Sequence, residues 1–285
     1  MGRQRIGRER GGRGMTRACA LALAIGLSLF PLSLARAEDV TLAETGSTLI
    51  LPLFQAWIAV YAKVAPDTHL TSAGTGSGAG IAQAIAGRVQ IGASDAYMSD
   101  QEAMANPHIL NIPLAISGLT VDYNLPELRD TQLKLNGPVL AGIYSGTIAE
   151  WDDAPIAALN PGVMLPHHAI IPIRRGDASG DSFVFTQFLS FSTPDWENRI
   201  GYGTTVRWPS VSGELTASSN TEMVQSCVRT AYSIAYIGAS FTADIAKAGF
   251  GTAMLQNEDG KFVLPTAAAI TAAAASLSPR TPADE

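Results

Sequence analysis

The sequence predicts an α/β fold, and three observations carry that prediction. Short apolar runs of strand length alternate with segments of helical periodicity. Three strand-to-helix turns, at 45–48, 74–80 and 94–95, each carry Ser, Thr or Gly, the residues that suit turns and helix starts. A further strand, Ile170 to Ile173, feeds the stretch at 174–182 and the apolar run after it, as alternating strands and helices in an α/β fold would.

The first 37 residues read as an export signal and are set aside from the fold. Arg3, Arg5, Arg8, Arg10, Arg13 and Arg17 form a basic region, Ala18 to Phe30 an apolar one, and Ala35-Arg36-Ala37 a small-x-small cleavage site. The apolar run is short for the roughly 20 residues of a membrane span and ends at Pro31. Met15, directly before the compact Thr16-Arg17, stands beside Met1 as a candidate start. Cys19 falls inside this leader without the apolar residue that a lipoprotein signal shows before it, which favours a soluble product. Cys227 is then the one remaining cysteine, so an intrachain disulfide is excluded and a buried thiol is expected.

Without the leader, 248 residues remain, enough for two lobes or one large domain. They carry 12 basic and 24 acidic side chains, a formal charge of −12, which makes nucleic acid a poor partner. A small anion is still admissible, because exposed charges are screened beyond roughly 8 Å whereas local buried donors are not.

The elements follow in order. A strand at Val40 to Ala43 leads through a turn at Thr45 to Thr48 into a helix marked by Phe54, Trp57, Ile58, Tyr61 and Val64 and stopped by Pro66. A second strand, Leu70 to Ala73, opens through glycine-rich 74–80 into a helix past Ile81, Ala84 and Ile85. Those glycines admit either a close backbone approach to an anion or a flexible turn, and they match neither a P-loop nor a dinucleotide motif. A third strand, Val89 to Ala93, ends at Ser94-Asp95; Asp95 suits equally a ligand-facing carboxylate at a strand end and a helix cap for Tyr97 onward. An extended stretch from Ile109 to Tyr123 crosses out of this first lobe. Helices are expected at Val139 to Ile148, Ile156 to Leu159, Glu222 to Ala231 and Thr242 to Ala248, and strands at Ile170 to Ile173 and Ser233 to Ile237. From Thr266 the chain turns alanine-rich and then Pro-rich, a frayed helix with a disordered end.

The most informative stretch is Arg174 to Ser182. Two cations and a small-residue turn precede the apolar run Phe183 to Leu189, with Ser179 as N-cap. Amides near Ser179, Gly180 and Asp181 then point out of a helix N-terminus, Arg175 adds a forked donor pair, and Asp177 holds that guanidinium in place. The same residues suit an ordinary capped helix with a surface ion pair.

In sum of its motifs the chain resembles the periplasmic phosphate-binding proteins of ABC-type phosphate importers. The match includes Gly46-Ser47-Thr48, Gly76-Ser77-Gly78, Gly92 to Ala96, Ile143 to Gly146, Trp151-Asp152-Asp153, Leu159 to Gly162, Arg174 to Thr186 and Thr205 to Pro209, in order over roughly Thr41 to Pro265. The resemblance implies a two-lobed type II binding-protein fold that closes on one phosphate ion. Its lobes would be 38–122 and 123–264, followed by a tail at 265–285. Thr48 and Ser77 would donate hydroxyls, Leu49, Ser179 and Gly180 would donate amides, Arg175 would supply the cation, and Asp95 would accept the ligand's own proton. Asp181 stands where some members have threonine. Its amide is the expected contact, with its carboxylate turned away to cap the helix. The implied protein is a monomer in the periplasm that needs no cofactor or metal and delivers phosphate to a membrane permease. Members continue past the position of Pro265 to complete the first lobe, so an unfinished, aggregation-prone first lobe is expected. Two other readings stay open: a binder of another oxyanion, and an exported hydrolase using Ser94 or Ser179, which lacks a Gly-x-Ser-x-Gly elbow and any triad signature among His69, His108, His167 and His168.

Overall fold

The computed structural model describes residues 39–129 and 131–276; the leader at 1–37 and the last nine positions of the expected tail lie outside them. The chain from Asp39 begins with β1 (Val40–Gly46), α1 (Leu51–Val64), β2 (Thr68–Gly74), α2 (Ser77–Ile85), β3 (Ile91–Ala93) and α3 (Asp100–Ala105). It continues with β4 (Leu119–Tyr123), β5 (Lys134–Leu135), α4 (Gly137–Ser145), α5 (Ala154–Leu159), β6 (Ile171–Arg175), α6 (Gly180–Ser192) and α7 (Pro194–Arg199). It closes with β7 (Leu215–Ala217), α8 (Asn220–Arg229), β8 (Ser233–Gly238), α9 (Thr242–Ala248), β9 (Gly251–Thr252), β10 (Met254–Gln256), β11 (Phe262–Val263) and α10 (Ala267–Ser276).

β1, β2 and β3 form a parallel sheet in the order β2-β1-β3, with Thr45 opposite Ala73 and Gly92. The larger sheet runs β7-β6-β8-β4-β9; β6 is parallel to β7 and β8, while β4 is antiparallel to β8 and β9. A short third sheet joins β11, β10 and β5. Every residue of β8 is buried, as expected for a central strand covered on both faces. The apolar core runs from Val121 to Ala253 and so belongs wholly to the part of the chain that carries the larger sheet. At its centre Phe185 stacks on Tyr236 at 4.3 Å, and Tyr144 meets Phe185 edge-on at 4.8 Å. Cys227 is buried there, and burial pushes its thiol up to about 12.

Local chemistry explains most boundaries. Asn136 caps α4 by accepting from the Val139 amide at 3.0 Å, and Gly146, with φ of 77°, ends it three residues before the expected Ile148. Ser99 and Glu102 form a capping box at α3, so Asp95 does not serve as its cap. Thr45 and Gly46 end β1 rather than opening the turn, and β3 begins at Ile91 rather than Val89. Of the expected crossing stretch only Leu119 to Tyr123 pairs, entirely in the larger sheet; a boundary at 122/123 therefore falls inside β4. The alanine-rich segment forms α10, where Ile270 lies beside Gly118.

The part of the chain with the small sheet packs differently. Phe54 is the one buried residue of α1, while Trp57, Val60, Tyr61 and Val64 are exposed. Leu110, Ile112, Leu114 and Ile116 alternate along the crossing segment and are all exposed. Among the described residues no helix is long and apolar enough to cross a membrane.

Candidate anion site

β6 carries two arginines whose side chains leave opposite faces of the strand. Arg174 turns outward, where Nε and Nη2 donate to Glu214 at 3.1 and 2.9 Å and its guanidinium lies 5.9 Å from the Trp208 ring. Arg175 turns inward and is 2% exposed. Its Nε and Nη2 donate to the two oxygens of Asp177 at 2.7 and 2.6 Å, a bidentate pair that fixes the guanidinium plane. Its Nη1 donates to Asp181 Oδ2 and, at 3.3 Å, to Thr48 Oγ1. Burial alone would lower the guanidinium pKa, but Asp177 and Asp181 more than restore it.

After Arg175 the chain turns into α6. Ser179 Oγ accepts from the Ser182 amide at 3.2 Å, and the Ser179 amide itself donates to the Thr204 carbonyl at 2.9 Å. The amides of Gly180 and Asp181 are left without a partner among the described residues, as the first turn of a helix dictates. Gly180 is required: a Cβ there would lie 2.3 Å from Ser77 Oγ and 2.5 Å from Asp95 Oδ2. The opposite wall comes from the ends of β1 and β3. Ser47 Oγ donates to both oxygens of Asp95 at 2.6 Å, and Ser77 Oγ reaches Asp95 Oδ2 at 3.1 Å while accepting from the Asp95 amide at 3.1 Å. Desolvation raises the Asp95 pKa against the lowering effect of Ser47, Ser77 and Arg175. The strand carboxyl ends of both sheets therefore converge on one place, as open α/β folds favour.

The fold thus brings Thr48, Ser77, Asp95, Arg175, Gly180 and Asp181 together, with Asp177 behind Arg175. One expected orientation needs correction, and two of the expected donor amides are engaged within the fold. The Leu49 amide donates to Ser47 Oγ at 3.1 Å, and the Ser179 amide is engaged by Thr204, so each already has a partner. The Asp181 carboxylate does not turn away to cap α6; it is 1% exposed and accepts from Arg175 Nη1 and, at 2.8 Å, from Asn220 Nδ2. Burial, followed by repulsion from Asp95, pushes its pKa up to about 7.

The PBP superfamily domain model matches residues 35–284. A phosphate-binding protein PstS of Pasteurella multocida is 37% identical over 256 residues, covering 90% of this chain and 71% of its own. This chain belongs to the PBP superfamily, within its PstS family. The PstS of Haemophilus influenzae is 36% identical over 249 residues, 87% of this chain and 71% of its own. A phosphate ABC transporter substrate-binding protein from Clostridium perfringens, solved with bound phosphate, shares the fold with a TM-score of 0.63 at 18% identity, over 83% of this chain and 82% of that one.

Sequence reading missed two members of this PstS-family cluster, Ser47, which holds Asp95, and Asn220. Asn220, fully buried at the start of α8, donates from Nδ2 to Thr48 Oγ1 at 3.0 Å and to Asp181, and accepts from the Gly238 amide at 2.8 Å. The available signal was Ser218-Ser219-Asn220 with Glu222, another cap pattern after an extended run; Ser219 does cap α8. No metal spacing is legible in the sequence, yet the fold gathers Glu150, Asp152 and His167 at the surface. His167 Nδ1 pairs with both carboxylates at 2.7 and 3.0 Å, and Asp152 and Glu150 raise its pKa.

Proposed function

We propose that this chain binds inorganic phosphate between its lobes, in the periplasm, and delivers it to the permease of an ABC-type phosphate importer. The observation that carries the reading is the pairing of opposite chemistries in one buried place. Arg175 and the free amides of Gly180 and Asp181 suit anionic oxygens, and Asp95, held by Ser47 and Ser77, suits a proton carried by the ligand. Phosphate near neutral pH is both donor and acceptor, whereas sulfate only accepts and would set an oxygen against Asp95. The names of the relatives point to the same ligand, and that of the Clostridium perfringens neighbour to an ABC transporter.

The site lies at the meeting of the two lobes, with Gly78 N–H donating to the Ala178 carbonyl at 2.9 Å and Ser240 Oγ donating to the Leu49 carbonyl at 2.7 Å. Hinge closure around a ligand uses contacts of this kind. The leader at 1–37 supports export, the negative charge argues against nucleic acid, and a monomer suffices because one chain supplies every site residue. A hydrolase is disfavoured by geometry: Ser94 Oγ donates to the Ala96 carbonyl, Ser179 Oγ caps α6, and neither bonds a histidine.

Calorimetric titration of the exported chain with phosphate, sulfate and arsenate tests the reading. Stoichiometric binding of phosphate, much weaker binding of sulfate and no turnover of a phosphate monoester are expected. Equal affinity for sulfate, or no phosphate heat, would overturn it.

A further inference from the structure

The cluster around Arg175 sets three carboxylates against one cation. Asp177 occupies Nε and Nη2, Asp181 occupies Nη1, and Asp95 lies against Gly180 across the site. The Asp177 side chain is 18% exposed and keeps some solvent, whereas that of Asp181 is 2% exposed. The two Asp181 oxygens also differ. Oδ2 accepts from Arg175 and Asn220, while Oδ1 is buried with no hydrogen-bond partner. A buried, unpartnered carboxylate oxygen is costly, and an arriving phosphate dianion, its one proton directed at Asp95, would offer that oxygen only lone pairs. A proton on Oδ1 turns the repulsion into a donor bond.

We propose that Asp181 is protonated when phosphate is bound, its Oδ1 hydroxyl donating to a phosphate oxygen, so that the site takes up a proton with the anion. The proposal rests on the phosphate reading above and deepens it. One O–H bond forms at Oδ1 with a proton drawn from solvent, and no bond to phosphorus changes. The groups facing Asp181 come from every neighbouring element: Arg175 from β6, Asp177 from the loop after it, Asp95 from the turn after β3, and Tyr236 from β8. Asn220, from α8, faces it as a neutral donor. Burial and the nearby Asp95 already raise the Asp181 carboxyl to about 7, over the opposing pull of Arg175 and Asn220, and a bound anion raises it further.

Above that pH each binding event takes up a proton, so affinity falls by about tenfold per pH unit beyond the ligand's own titration. Asp181→Asn is permanently neutral and removes this slope, and it binds phosphate more tightly than wild type in alkali. The test is calorimetry with inorganic phosphate at about pH 8.5 in buffers of different ionisation enthalpy. Wild type is expected to take up about one proton more than Asp181→Asn, the ligand's own protons cancelling in the comparison. Equal proton counts would overturn the proposal. If the variant does not fold, infrared difference spectra of wild type with and without phosphate are expected to show a new protonated-carboxyl band, and its absence overturns the proposal equally. Phosphate binding at no pH would remove the phosphate reading itself, and this proposal with it.

Discussion

Arg174 and Arg175 are neighbours with different environments, and strand alternation is the cause. Arg175→Ala is expected to weaken phosphate binding by at least roughly tenfold, because a buried charge-assisted donor is lost and Asp177 and Asp181 are left facing each other. Arg174→Ala breaks a half-shielded pair with Glu214 and a contact with Trp208, so it costs about 1 kcal/mol of stability or less and leaves affinity nearly unchanged. Equal losses in titration would contradict this division. Asp95→Asn is expected to weaken phosphate binding and narrow the gap to sulfate, since a carboxylate facing an unprotonated oxygen costs roughly 1–3 kcal/mol or more. Unchanged selectivity would remove Asp95 from its assigned role.

At the scale of elements, the site depends on how closely α2 approaches the loop before α6. Gly78, in the first turn of α2, has room for no side chain: a Cβ would lie 2.5 Å from the Ala178 Cβ. Gly78→Ala should therefore hold the two lobes apart. Overpacking of this kind costs about 1–3 kcal/mol, to be read as roughly tenfold or more in phosphate Kd. Unfolding without ligand should change little, because Gly78 lies outside the main apolar core. An unaltered Kd would show that closure tolerates the added methyl. The cap of α6 is the second device at this scale, and Ser179→Ala is expected to lower stability by about 1 kcal/mol, measured by denaturant unfolding.

The whole molecule carries an uneven core and several buried carboxyls. Asp122, in β4, accepts from Thr120 and Thr252, yet burial raises it to about 7, and Asp181 stands at a similar value. A carboxyl whose folded pKa lies above its unfolded one keeps its proton in the fold after the unfolded chain has lost it. The stability these two carboxyls contribute is then full below about pH 4, falls as pH rises toward 7, and is lost above. Thermal unfolding without ligand should accordingly be higher near pH 5 than near pH 8, by roughly the 1.4 kcal/mol per shifted unit that linkage allows, as an upper bound. An increase in stability from pH 5 to 8 would contradict the raised Asp122 carboxyl. Micromolar phosphate is expected to raise the transition through mass action. The exposed alternation Leu110, Ile112, Leu114 and Ile116 is an aggregation liability at this scale. Ile112→Thr with Ile116→Thr should reduce self-association in light scattering without altering phosphate Kd.

Much of this protein was legible before any folding. Periodicity and turn chemistry suffice for β1, α1, β2, α2, β6, α6, α8 and β8, because those signals act over one or two turns of chain. The Arg174 to Ser182 stretch likewise declares its own capped helix start, since Ser179 and the amides it leaves open are neighbours in sequence. The short strands β5, β7, β9 and β10 were not legible, because each is two or three residues long and is stabilised by a partner far along the chain; β11, two residues long, pairs only with nearby β10. Tertiary structure alone decided which way Asp181 turns. Thr48, Asn220 and Arg175 come from positions up to 172 residues apart, and only their convergence makes a polar pocket that draws a carboxylate inward from a helix start. The same holds for the Ser179 amide, engaged by Thr204. Sequence determines which donors and acceptors a segment can offer; packing determines which of them remain unpaired, because a buried polar atom takes whatever partner the fold brings within reach.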